Sequence, residues 1–101
     1  MVENMKNKKA VFVGIDDPIK LKSKKYVMKA LYRRAKKNPF ISDKTFEEFM
    51  EHIKYQVKDL EGIEIQAENE EELYNALKNI GWIKEFNMLL AYLIIANYGI
   101  A

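Results

Sequence analysis

The sequence predicts a compact single α+β domain with four helices and two short strands, in the order β-α-α-β-α-α. Three observations carry this expectation: an apolar, β-branched run near the start, a six-residue apolar stripe at helical spacing in the middle, and a strictly alternating pentapeptide after it. A chain of 101 residues accommodates one domain and leaves little room for a second. With 49% hydrophobic and 12% aromatic residues it can build one modest core, which excludes a disordered chain of low hydrophobicity. Residues 1–8 read as a flexible N-terminus and 9–101 as the single α+β domain.

Residues 9–15, KAVFVGI, form a continuous apolar run closed by Asp16-Asp17-Pro18, the pattern of a buried strand. Asp17 is placed as a helix N-cap with Pro18 at the first helical position, so the first helix is expected over 18–37. Asn38-Pro39 ends it, because the residue before proline avoids the helical region. Thr45, with Glu48 three residues on, spells a capping box for the second helix. From there Phe46, Phe49, Met50, Ile53, Val57 and Leu60 fall on one stripe. Gly62 punctuates the helix, and residues 63–67, IEIQA, alternate as a half-exposed strand does. Asn69 with Glu72 repeats the capping arrangement for a third helix over 70–80, and Gly81 supplies its stop. Residues 82–98 are expected as a fourth helix, apolar on every side over 88–96 and therefore enclosed by the fold or by a partner chain. Strands separated by a helix pair would lie parallel. Since two strands alone are marginal, either the helices carry the stability or a second molecule completes the sheet. The expected core comprises Val11, Val13, Phe46, Phe49, Ile53, Val57, Leu73, Leu77, Leu90 and Ile94.

The absence of cysteine excludes disulfides, thiol chemistry and Cys-based zinc sites, and fits a reducing compartment. The early apolar run is too soon broken by Asp16 to serve as a secretory signal. The longest uncharged stretch, 86–101, would span about 24 Å as a helix, short of a hydrocarbon core of about 30 Å. A cytoplasmic location without a membrane anchor is the expectation. Net charge is only +2, yet residues 1–44 hold 13 Lys or Arg against 4 acids and residues 45–101 hold 4 against 11. Opposite halves either attract each other or leave a basic surface for an anionic partner.

The candidate partner-binding residues are Lys22, Lys25, Lys29, Arg33 and Lys36, which on a helical wheel fall within about 80° of arc. Leu21, Met28, Leu31, Tyr32 and Ala35 lie opposite or beside this stripe, and Tyr26 lies at its edge. Glu47, Glu48, Glu51, Glu70, Glu71 and Glu72 form an acidic counterpart that would remove a nucleic-acid surface if it met the stripe within one chain. Asp16 and Asp17, after a strand and before a helix, could hold Mg²⁺ with help from a phosphate substrate, but a helix cap at Asp17 and solvation of Asp16 is the favoured reading because the sequence identifies no further carboxylate for a metal. His52, the sole histidine, stands one turn from Glu48, a pairing that an exposed helix face also produces. Ser23, Ser42 and Thr45 are the only hydroxyl nucleophiles beside tyrosine, without a nucleophile elbow around them. Four isolated glycines write neither a phosphate loop nor a dinucleotide fingerprint. No cofactor, metal site or catalytic residue is therefore assigned.

These readings converge on a non-enzymatic small regulatory or interaction protein that recognises a macromolecular partner through the basic face of its first helix. The partner is a protein or a second copy, the latter joined through 63–67 or through Leu89, Tyr92, Leu93 and Tyr98. A nucleic-acid-binding protein using the same stripe is the alternative, and metal-assisted hydrolysis at Asp16 and Asp17 comes third.

Overall fold

A computed structural model describes residues 8–12, 17–37 and 45–87. Its elements are β1 (Lys8–Phe12), β2 (Ile19–Lys20), α1 (Lys24–Lys36), α2 (Phe46–Glu61), α3 (Glu70–Asn79) and β3 (Ile83–Asn87). The domain is α+β as expected, but the described order is β-β-α-α-α-β, with three helices. β1 is the middle strand of a sheet ordered β2-β1-β3, and both neighbours run antiparallel to it. Ala10 stands opposite Ile19 on β2 and opposite Glu85 on β3, while Phe12 stands opposite Ile83. Opposed residues share a face, so Ala10, Phe12, Ile19, Ile83 and Glu85 all point one way. Ala10, Ile19 and Ile83 join the core with Val27, Met28 and Leu31 of α1, Phe46, Phe49, Ile53 and Val57 of α2, and Leu73, Tyr74 and Leu77 of α3.

Six of the expected core residues, Phe46, Phe49, Ile53, Val57, Leu73 and Leu77, are buried. Val11 is only half-buried, because the two-residue period that turns Ala10 and Phe12 inward turns Val11 to the opposite face. Val13, Leu90 and Ile94 lie outside the described residues. Leu60, placed on the apolar stripe of α2, is 71% exposed. It borders an open cleft of about 440 Å³ with Phe12, Ile80 and Trp82 rather than a closed core.

The first helix begins later than the sequence predicts. Ile19 and Lys20 pair with β1, and the Leu21 N–H donates to the Lys8 carbonyl at 3.0 Å. Pro18 therefore precedes an edge strand, a position where its missing N–H is tolerated, instead of opening a helix. Ser23 is the N-cap, its hydroxyl accepting from the Tyr26 N–H at 2.9 Å. Asp17 is not a cap.

α2 has the capping box that Thr45 and Glu48 encode, with both hydrogen bonds at 3.1 Å. It ends on Gly62 at φ 71°, the left-handed C-terminal position glycine serves best. Gly62→Ala is expected to cost about 1 kcal/mol, since a Cβ there meets no atom within 4 Å and only the left-handed backbone is penalised. Urea denaturation checks this; a cost near zero would show that the helix end has relaxed.

Residues 63–67 are not a strand. Burial alternates over 64–67, with Ile65 and Ala67 inside and Glu64 and Gln66 outside, while Ile63 is exposed, and the run pairs with no described strand.

The expected fourth helix is replaced at its start by β3. After α3, Gly81 at φ 87° donates to the Lys78 carbonyl at 3.1 Å and Trp82 donates to the Leu77 carbonyl at 2.8 Å, a Schellman ending. This reverses the chain and delivers Ile83–Asn87 to β1. The remainder of that expectation, with Leu89, Tyr92, Leu93 and Tyr98, falls outside the described residues. β3 places Glu85 on the inward face, where it accepts from the Tyr74 hydroxyl at 2.6 Å and pairs with Lys78 at 3.2 Å. Partial burial opposes ionisation of Glu85, yet the Tyr74 hydroxyl and the Lys78 charge together hold its carboxyl below the usual range.

Candidate partner-binding face

The burial of Val27, Met28 and Leu31 decides which side of α1 meets solvent. Turning those three inward turns Lys25, Arg33 and Lys36 outward and leaves Lys29 partly covered at the flank. Lys22 precedes the Ser23 cap and so is not helical, but it stays in the stripe. Its ammonium lies 4.9 Å from the centre of the Tyr26 ring, whose other cationic neighbour is the Arg33 guanidinium at 5.8 Å. Lys29 lies 4.4 Å from the Phe46 ring and Lys36 5.2 Å from the Tyr32 ring.

These rings are supplied by packing between helices. Tyr32 of α1 meets Phe46 and Phe49 of α2 at centroid distances of 5.5 and 5.4 Å, so an aromatic cluster fills the α1–α2 contact and its rim carries Lys29 and Lys36. Helical spacing located the five cations. It could not locate Phe46, which arrives from another helix.

Among the described residues Lys25 alone of the five forms an ion pair, with Glu70 at the first turn of α3, at 3.5 Å. A hydrogen bond from Glu70's own main-chain N–H, opposed by desolvation and aided by Lys25, holds that carboxyl below its ordinary value. The rest of the acidic counterpart forms no ion pair with the stripe among the described residues, although Glu71 and Glu72 line a surface depression with Lys25 and Glu70. Glu51 pairs with Lys54 at 2.9 Å, Glu48 closes the α2 cap, and Glu72 accepts from the Glu68 N–H at 2.8 Å. Glu47 and Glu71 are exposed. Among the described residues the opposite halves of the chain thus touch through one ion pair at this face, Lys29 also lies within electrostatic reach of Glu70, and Lys22, Arg33 and Lys36 form no ion pair.

Arg34, absent from the predicted stripe, has a different task. Its guanidinium donates to the main-chain carbonyls of Asp17 and Pro18, tying α1 to the turn before β2. Lys24 leans towards the Tyr74 ring at 6.0 Å. From Lys8 to Lys37 the sequence holds eleven Lys or Arg against two acids, Asp16 and Asp17, so the cationic charge extends beyond the stripe.

Of the remaining candidates, Asp16 and Ser42 lie outside the described residues. Asp17 is exposed, and His52 is exposed on α2. The Ser23 and Thr45 hydroxyls accept main-chain N–H groups as caps, the role local helix physics assigns them. Among the described residues no group of three or more His, Asp or Glu side chains is placed to hold a metal ion, and no helix is long and apolar enough to cross a membrane. No family model, curated protein or solved structure matches this chain.

Proposed function

We propose that this chain is a non-enzymatic interaction protein whose α1 face recognises an acidic surface on a protein partner. The observation that carries this reading is the pairing of the stripe with rings instead of carboxylates: Lys22, Lys29, Arg33 and Lys36 rest on Tyr26, Phe46 and Tyr32. A ring contact steers a long side chain while leaving its charge uncompensated, so the face is ordered and still cationic. Carboxylates on a partner would find both guanidinium and ammonium donors there. Nucleic acid is the second reading, favoured by the same uncompensated charge. Against it, the rings of the stripe are covered by cations and are not open for base stacking, and a net charge of +2 is low for a dedicated binder.

The test is affinity capture with nuclease treatment, comparing the wild type with the triple variant Lys25→Glu, Lys29→Glu, Arg33→Glu. A nuclease-resistant protein partner retained by the wild type and lost from the triple variant is the expected result. Duplex DNA is expected to bind weakly or not at all in physiological salt. Three phosphate contacts would give a log-log salt slope of roughly −3, and tight salt-resistant DNA binding would overturn the ranking.

A further inference from the structure

We propose that the cleft at the C-terminal ends of α2 and α3 binds a small quaternary ammonium cation of the choline type. The cleft measures about 440 Å³, within the size range of small-molecule sites, and is lined by Phe12, Gln56, Leu60, Glu61, Ile80 and Trp82. Gly81 completes the lining and keeps it open, since a Cβ there would meet no atom within 4 Å. Phe12 and Trp82 are the aromatic walls, set at 84° with centroids 6.0 Å apart. An edge-to-face pair of this kind covers one ring face and leaves the others outside the contact. The indole is held in place by its N–H, which donates to Glu61 Oε2 at 3.1 Å. Glu61 Oε1 bonds to no described residue.

The sign of the cleft is opposite to that of the α1 face. Glu61 is its one charged lining residue. Leu60 and Glu61 end α2 and Ile80 caps the end of α3, so the negative ends of two helix dipoles meet here. Tryptophan offers a cation the most favourable ring face of the aromatic side chains. Among the described residues, the Lys and Arg side chains that sit over rings occupy Tyr26, Tyr32, Phe46 and Tyr74, which leaves Phe12 and Trp82 to a ligand. The neighbouring cations do not compete for the site: Lys58 pairs with Glu64 at 3.3 Å, Lys78 pairs with Glu85 at 3.2 Å, and Lys84 alternates onto the sheet face opposite Phe12 and Ile83. Asp59, next to Leu60, adds negative charge.

The chemistry of the lining selects the kind of cation. A primary ammonium brings three donors that need acceptors, whereas a quaternary ammonium brings none and presents methyl groups. Those methyl groups suit Phe12, Leu60, Ile80 and Trp82, while the charge is met by Glu61 and the ring faces. A hydroxyl on the same ligand finds the Gln56 amide. The main-chain N–H groups of Ile80, Gly81 and Trp82 are spent on the carbonyls of Ala76, Lys78 and Leu77, so this segment offers an extended peptide no main-chain donor and recognition rests on side chains. The α1 face plays no part in it.

Titration of the full chain with choline chloride, at an ionic strength held constant with sodium chloride and followed by the fluorescence of Trp82, the sole tryptophan, tests the proposal. A saturable change with a dissociation constant in the millimolar range is expected. The neutral isostere 3,3-dimethylbutan-1-ol, with carbon in place of the ammonium nitrogen, is expected to bind about 3- to 30-fold more weakly. Glu61→Gln keeps an acceptor for the indole N–H and removes the charge; it is expected to weaken choline binding by about 2- to 5-fold and to leave the neutral isostere unaffected. Glu61 is exposed, so circular dichroism should show the variant folded as the wild type is. No saturable change with choline, equal affinity for choline and the alcohol, or an unchanged choline affinity in Glu61→Gln overturns the proposal.

Discussion

Ile53→Asp leaves the chain unfolded at room temperature. Ile53 is 4% exposed on the inner stripe of α2, between Phe49 and Val57, and belongs to the core shared by the three helices and the sheet. A carboxylate there has no cation to pair with, and leaving a buried charge unpaired costs about 3–5 kcal/mol. Losing the isoleucine removes a further ~2 kcal/mol of apolar burial. A domain with a total stability of roughly 5–15 kcal/mol does not absorb both and remain folded under working conditions. The measurement is far-UV circular dichroism with thermal melting, and Ile53→Val, expected to cost about 0.5–1.5 kcal/mol, is the control that keeps the side chain apolar. A wild-type melting curve for the aspartate variant would mean that α2 presents a different face to the core.

The expected loss at Ile53 rests on a stripe that was legible in the sequence, and the reason is locality. α2 and α3 are written within their own residues: the Thr45–Glu48 box, the Asn69 cap, the Gly62 and Gly81 stops, and apolar spacing at the helical period. Strand pairing is not written that way. Ile19–Lys20 is two residues long and shows no periodicity, and Asp17-Pro18 in front of it reads as a helix start; only its pairing with β1 decides the matter. The cap the structure uses is Ser23, six residues after Asp17. β3 was hidden by the apolar segment after it, which gave residues 82–98 a helical reading, and Ile83-Lys84-Glu85-Phe86-Asn87 carries no apolar–polar alternation that would mark it as a strand. The alternation at 63–67 correctly gave the side-chain layout over 64–67, but a strand also needs a neighbour, and a sequence shows no neighbours. The candidate face divides in the same way. Its five cations were visible as a wheel arc, whereas the Phe46 ring under Lys29 and the Glu70 carboxylate beside Lys25 come from other helices.

Tyr74 supplies the second large effect, because one side chain ties α3 to the strand that the sequence concealed. Its ring is completely buried, and its hydroxyl donates to Glu85 at 2.6 Å. Burial, and then the Glu85 carboxylate, push the phenol far above its ordinary value, so it stays a donor. Tyr74→Ala removes ring and hydroxyl together and is expected to cost about 3–5 kcal/mol, the range for truncating a buried aromatic. Tyr74→Phe keeps the ring and removes one hydrogen bond to a charged group, an expected cost of about 1.5–3 kcal/mol. The pH dependence separates the hydroxyl from the packing. Because the carboxyl of Glu85 is held below its ordinary value of about 4.3 in the folded state, its contribution is complete above that pH and is lost as pH falls through the lowered value. In Tyr74→Phe, Lys78 alone holds the carboxylate, so the acid loss attributable to Glu85 shrinks and the two stability curves converge as pH falls below 4.3. Urea unfolding of the wild type and the phenylalanine variant between neutral and acid pH reads this directly. Coincident curves would show that the hydroxyl–carboxylate bond contributes nothing to holding β3, and that the cost of Tyr74→Ala is packing alone.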